Sequence, residues 1–210
     1  MNHNLANIVM ALYTLNPALT DTMTDRKKRY FHLLAIMSLL PIAAMTHAQL
    51  LDLTKARSVN ELWVVNDGVM GGLSESRFSH DAEGVLFEGV VSLDNGGGFA
   101  SMRSPIAIPT GTTALDVTVR GNEKQYKLII RTDPSPRAPM YQADFTATPA
   151  WKTFRFQASD FKASFRGRPV DAPELVFSDV REIGVLIANQ QAGAFKVQIK
   201  NIQSAGGTPR

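Results

Sequence analysis

Few residues in this chain belong to the types that make and break covalent bonds. The 210 residues include four histidines and no cysteine, and His3, His32 and His47 all precede residue 49. A zinc centre built from nitrogen and sulfur ligands needs more than His80 alone. A Ser-His-Asp relay would also have to run through His80, which sits beside Asp81 in a polar, turn-like stretch. An exposed loop histidine is the simpler reading. Carboxylates are better supplied, with Asp67, Asp94, Asp144, Asp160 and Asp171 in or near expected loops and strand ends. A glycosidase sets two such groups about 5–9.5 Å apart across a cleft. Solvated or turn-forming carboxylates are the plainer account, so a carboxylate-based glycoside hydrolase is the lesser alternative. Asp67 before Gly68 reads as an Asx-type turn residue, or as a ligand of a structural calcium. No catalytic residue, cofactor or resident metal is expected.

Binding chemistry is easier to find. Arg120 ends a strand-like run at Arg-Gly-Asn122, and Arg166-Gly167-Arg168 opens a proline-stiffened loop. A guanidinium there can clamp a carboxylate or phosphate through two parallel hydrogen bonds, or simply pair with acidic neighbours. Tyr141 and Trp151 are the candidates for a flat ring on which a sugar could stack, although an aromatic at a strand start more often packs inward. Two glycine-rich stretches bring backbone within reach of a ligand, or merely turn corners. The first runs Asn66-Asp67-Gly68-Val69-Met70-Gly71-Gly72-Leu73-Ser74 and the second Asn95-Gly96-Gly97-Gly98. Glycines 71, 72, 97 and 98 are expected to include positions of positive φ. The candidate binding set is therefore Asn66, Asp67, Met70, Ser74, Asn95, Arg120, Asn122, Tyr141, Trp151, Arg166 and Arg168.

The elements that must hold these residues are almost all strands. Short apolar runs bounded by turn residues fall at 62–66, 73–79, 85–93, 98–104, 114–120, 124–132, 141–147, 151–157, 182–188 and 194–202. Leu115, Val117 and Val119 alternate with polar neighbours, as do Phe195, Val197 and Ile199. Tyr126, Leu128 and Ile130 follow the same rule, except that Ile129 breaks the polar face. Such alternation requires antiparallel sheets with one face inward. Ten strands and minimal helix (single turns near Ser58 and Asp160) predict an all-β, two-sheet antiparallel sandwich of jelly-roll type, with a closed barrel as the alternative.

The N-terminal part reads differently. Basic residues 26–29 precede a mostly apolar run from Phe31 to Met45, and Thr46-His47-Ala48 leads into Gln49. This is the pattern of a secretory leader over 23–48, cleaved after Ala48, with 1–22 as an upstream extension. The domain then spans 49–204 and a tail spans 205–210. The expected location is periplasmic or secreted, with no transmembrane span after cleavage; an uncleaved N-terminal tether is the alternative. Of 22 basic and 19 acidic residues, the leader and extension hold four and two, leaving 18 and 17. A net charge near +1 gives no reason to expect a nucleic-acid partner. Without cysteine, an exported domain depends on its apolar core.

In series, Trp63, Asp67-Gly-Val-Met-Gly-Gly-Leu-Ser74, Phe87-Glu-Gly89 and Gly97-Gly-Phe-Ala-Ser101 come first. Arg120-Gly-Asn122, Tyr126, Tyr141, Trp151, Phe161, Arg166-Gly-Arg168, Ile183-Gly184 and Gly193-Ala-Phe195 follow. In order and spacing the chain, from Leu62 to Ile202, resembles the complex I intermediate-associated protein 30 family. The resemblance implies a galactose-binding-like jelly roll and, by analogy with mitochondrial members, a non-catalytic assembly factor for respiratory complex I. The family's Arg-Gly-Asp-Gly segment falls on Arg120-Gly121-Asn122-Glu123, which lacks the acidic residue and the second glycine. A leader would also deliver this chain to the side of the membrane opposite the matrix-facing members. The expectation is an exported, non-catalytic binding module that acts as an assembly or chaperone-like factor on a protein partner. The alternative is a carbohydrate-binding domain of the periplasm or cell surface that takes a glycan.

Overall fold

The computed structural model describes residues 47–206. The upstream extension, the leader up to residue 46 and positions 207–210 lie outside the described residues. Thirteen strands occur in the order β1 (His47–Asp52), β2 (Trp63–Asn66), β3 (Glu75–Asp81), β4 (Gly84–Val91), β5 (Ala100–Pro105), β6 (Thr112–Gly121) and β7 (Gln125–Arg131), then β8 (Met140–Thr146), β9 (Lys152–Gln157), β10 (Lys162–Phe165), β11 (Arg168–Pro169), β12 (Glu182–Ile187) and β13 (Gly193–Gly206). Short 3-10 turns are the only helical pieces among the described residues, and no helix there is long and apolar enough to cross a membrane. All strand pairs are antiparallel.

The strands form two sheets. One is ordered β3-β4-β13-β6-β9 with β1 also on β13, and the other β11-β10-β8-β7-β12-β5-β2. The result is the expected sandwich rather than a closed barrel. All ten expected strands are present, joined by β1, β10 and β11. β1 starts at His47, two residues before the expected cleavage point, and β13 continues through Ala205 and Gly206.

The alternating runs turn inward as their pattern requires. Leu115, Val117, Val119, Tyr126, Leu128, Ile130, Phe195, Val197 and Ile199 all belong to one core cluster. β13 holds its alternation over 14 residues only because the register slips between Ile199 and Asn201, leaving Lys200 as an extra residue. One inserted residue swaps the faces, so Ile202 continues the inward row opposite Val117. Phe145 sits mid-core, its ring 5.9 Å from Tyr126, 5.3 Å from Phe154 and 6.1 Å from Phe156.

The seven-stranded sheet has a further property. Lys127, Ile129 and Arg131 alternate with core residues of β7 and so face away from the core. Even so, Ile129 is only 1% exposed, and Lys127, Arg131, Arg103, Glu182 and Leu186 are buried as well.

Truncating Phe145 to alanine removes three ring contacts at once. The expected loss is about 3–5 kcal/mol in denaturant unfolding, against a change within about 0.5 kcal/mol for exposed Thr146→Ala.

Candidate functional site

Two places on the sandwich bring polar and charged side chains together. The first is built on Asp67, which opens the 3-10 turn Asp67–Met70 after β2 and has no exposed surface. Its Oδ1 accepts the Ser74 amide at 2.9 Å. Its Oδ2 accepts the Ser74 hydroxyl at 2.5 Å, the Gly98 amide at 2.6 Å and the Phe99 amide at 3.2 Å. Ser74 Oγ in turn accepts the Ser92 amide at 3.0 Å. Burial pushes the Asp67 pKa up, but the hydrogen bonds from Ser74, Gly98 and Phe99 together outweigh it and hold the carboxyl below its ordinary 3.8.

The glycines follow from that carboxylate. A Cβ at Gly97 would lie 2.6 Å from Asp67 Oδ2, and one at Gly72 would run into the Asp67 side chain. Gly71 and Gly98 have φ of +90° and +132°, whereas Gly72 and Gly97 do not have positive φ. The four glycines therefore divide into two that turn the chain and two that make room.

The loops tied to Asp67 display apolar side chains. Val69, Met70, Leu73 and Leu93 are each between 42% and 74% exposed. Leu73 and Leu93 flank the bonded pair Ser74 and Ser92, and Leu93 Cδ2 packs against the Gly98 position. Exposed Val90 sits on β4 opposite Glu75, the residue after Ser74.

The other expected site residues are dispersed. Asn66 Oδ1 accepts the Ser76 hydroxyl, and Asn95 is an exposed turn residue at φ 54°. Arg120, on the six-stranded sheet, donates to Gln198 at 2.9 and 2.7 Å and to Glu83 at 2.5 Å. Its guanidinium lies 4.6 Å from the Trp151 ring centroid, with Lys200 Nζ at 4.9 Å from the same ring. The half-buried Trp151 face is thus occupied by cations. Asn122 Oδ1 accepts the Tyr126 hydroxyl at 2.9 Å. Tyr141 is buried and donates to the Pro173 carbonyl at 2.8 Å, so it offers no ring face to a sugar. Arg166 packs over Phe165 at 5.3 Å, and Arg168 is exposed on β11. β11 and β2 are opposite edges of their sheet, so these arginines do not join the glycine loops.

The second place was not anticipated from sequence. It is the outward face of the seven-stranded sheet, where Trp63 pairs with Arg103, Arg103 with Gly184, and Gly184 with Ile129. Arg103 donates to Glu182 at 3.1 Å and to Ser101 Oγ at 3.1 Å. Glu182 lies directly opposite Arg131 on β7. Lys127 donates to Asp144 at 2.6 Å. The off-pattern Ile129 was the one sequence feature that marked this face as covered.

Acid-base chemistry finds little support. The Thr54 hydroxyl holds Asp52 below its ordinary value, the Glu83 amide does so for Asp81, and Arg155 does so for Asp116. A general acid needs the opposite shift. Among the described residues, no group of three or more His, Cys, Asp or Glu side chains is placed to hold a metal ion.

Comparison with known proteins agrees with this picture. Residues 51–199 match the family model for complex I intermediate-associated protein 30. A family 11 carbohydrate-binding module from Clostridium thermocellum, solved with a β-1,3-1,4-mixed-linked tetrasaccharide, is 16% identical with a TM-score of 0.57. That match covers 80% of this chain and 100% of the module. The family 11 module of a cellulosomal cellulase from the same organism is 17% identical with a TM-score of 0.56, over 80% of this chain and 99% of the module. At such identity the likeness is one of fold. The sequence matches no curated protein significantly.

Asp67→Asn keeps the shape but turns half of the acceptor into a donor facing amide hydrogens. The expected cost at neutral pH is on the order of 2 kcal/mol. Because the folded-state pKa is depressed, Asp67's ionised contribution is complete above the unfolded value and fades as pH falls below about 4. Urea melts of both proteins at neutral and acid pH should show the gap between wild type and variant narrowing in acid. A gap that does not depend on pH would contradict an ionised Asp67.

Proposed function

The chain belongs to the complex I intermediate-associated protein 30 family, and we propose that its Asp67-tied loops dock a protein partner, as an exported assembly or chaperone-like factor. Membership of this family and the β-sandwich fold support reading it as a non-catalytic binding domain. The observation that carries the protein-partner reading is the exposure of Val69, Met70, Leu73 and Leu93 on loops fixed by a buried carboxylate. Large apolar side chains left exposed on neighbouring ordered loops are the kind of surface that interaction sites use. Holding it on ordered backbone reduces the entropy lost on binding. Aliphatic side chains suit a protein surface better than a sugar, which favours flat aromatic rings and polar groups. The leader pattern supports export, and cleavage after Ala48 would spare the Gln49–Asp52 part of β1.

A second reading, binding of a saccharide, attaches to the other place. Trp63 is 38% exposed on the edge strand β2 and lies in register with Arg103. This sets an aromatic ring beside polar groups on one sheet face, an arrangement that suits a pyranose.

Photo-crosslinking in cells expressing the full chain tests the first reading. A crosslinker at Met70 or Leu73 should capture one defined protein that a crosslinker at Ala82 does not, and Val69→Ser with Leu93→Ser should abolish the capture. Equal capture from all three positions, or adducts only with a second copy of the chain, would refute it.

A further inference from the structure

Met70 differs in chemistry from the other apolar side chains displayed around Asp67. Val69, Leu73 and Leu93 are inert hydrocarbon, whereas the Met70 thioether is a polarisable sulfur that oxidants attack. It is also the accessible one. Of the three methionines among the described residues, Met70 is 55% exposed, Met102 is buried in the core at 3% and Met140 is half-buried on β8. The stretch around the sulfur is apolar throughout: from Gly68 to Leu73 no side chain carries a nitrogen or an oxygen. Ser74, the next residue, turns its hydroxyl inward onto Asp67 at 2.5 Å. An oxygen added at Met70 would be the first polar side-chain atom on that stretch.

The turn that carries Met70 is held without its side chain. The Gly71 amide donates to the Gly68 carbonyl and the Gly72 amide to the Asp67 carbonyl, both at 3.1 Å. The Asp67 carboxylate then ties the loop to the amides of Ser74, Gly98 and Phe99. Chemistry at the sulfur therefore changes what the loop presents and leaves the way it is held intact.

We infer that Met70 is an oxidation site whose modification by peroxide switches the loop surface from docking to non-docking. One oxygen passes from the peroxide to the sulfur, which gives up two electrons. The S–O bond forms as the O–O bond breaks, and the departing hydroxide takes the proton left on the transferred oxygen and becomes water. The resulting methionine sulfoxide is a strong hydrogen-bond acceptor, and pressed against the apolar surface of a partner it has no donor to meet it. Methionine sulfoxide reductases reverse the step: two thiols become a disulfide and the oxygen leaves as water. The inference rests on the protein-partner reading of these loops.

The purified full chain, carrying the photo-crosslinker at Leu73, is treated with dilute hydrogen peroxide and cleared of it with catalase. It is then mixed with an extract of its native cells, so that the partner never meets the oxidant. Peptide mass spectrometry should find the added oxygen on Met70 at least tenfold sooner than on Met102, and sooner than on Met140. With Met70 alone oxidised, capture of the protein taken by the untreated chain should fall at least tenfold while thermal unfolding does not shift. Reductases for both sulfoxide epimers, supplied with a dithiol, should restore the capture. Met70→Leu, scored as the ratio of its own treated to untreated capture, should lose nothing to peroxide. Undiminished capture by the Met70 sulfoxide, an equal loss in Met70→Leu or a lowered unfolding midpoint would overturn the switch and leave the docking reading standing. Oxidation of Met102 ahead of Met70 would do the same. Absence of capture by the untreated chain would overturn both.

Discussion

The loop end of this sandwich depends on one ion. Asp67 is sealed from solvent and accepts four hydrogen bonds, two from Ser74 and two from the backbone at Gly98 and Phe99. A buried carboxylate is tolerable only when its oxygens are met by donors, and amides from two separate stretches of chain meet these. Both glycine-rich loops are therefore addressed to the same two oxygen atoms. The motif that looks like a ligand cradle in the sequence is filled from within by the protein's own acid.

This arrangement separates structure from display. Polar atoms of the loop end face inward to Asp67 and Ser74, so the side chains left outside are those of Val69, Met70, Leu73 and Leu93. With no cysteine to cross-link the loops, long-range hydrogen bonds to a charged acceptor are the strongest local tie at hand. At the other place the logic is reversed. There the apolar residues Ile129 and Leu186 are buried, and beside them Arg103 and Arg131 lie between strands with Glu182 as the buried acid.

Much of the fold was legible because it rests on alternation. Leu115 to Val119 and Phe195 to Ile199 show period two, and every strand with a full turn of that pattern could be placed. β1 was missed because His47 and Ala48 read as the end of a leader. β11 was missed because two residues ending in Pro169 make no pattern, and β10 because its four residues, Lys162–Phe165, were absorbed into the turn near Asp160. The site was harder for a physical reason. Asp67 looks like a local turn residue, and nothing nearby in sequence reveals that its partners lie 31 and 32 residues away. Arg120, Asn122, Tyr141 and Trp151 have the right chemistry for binding, but their hydrogen bonds and ring contacts are made within the domain. Arg103, Arg131 and Glu182 look like ordinary polar-face residues, because alternation reports which side a residue faces and not whether that side is covered.

The two buried charged centres differ in what they do for the fold. Asp67 has all its hydrogen-bonding capacity answered, and two neighbouring glycines exist to give it room, so removing it would undo the loop end. The Arg103–Glu182–Arg131 group has no such completeness. Desolvating ions between strands costs free energy that their mutual attraction rarely returns in full, and apolar residues of like size would stabilise the same sheet at least as well. Arg131 Nε is buried without a hydrogen-bond partner, which makes that position more costly again. Stability therefore explains Asp67, whereas Arg131 is held at a cost that the packing of the sheet does not return.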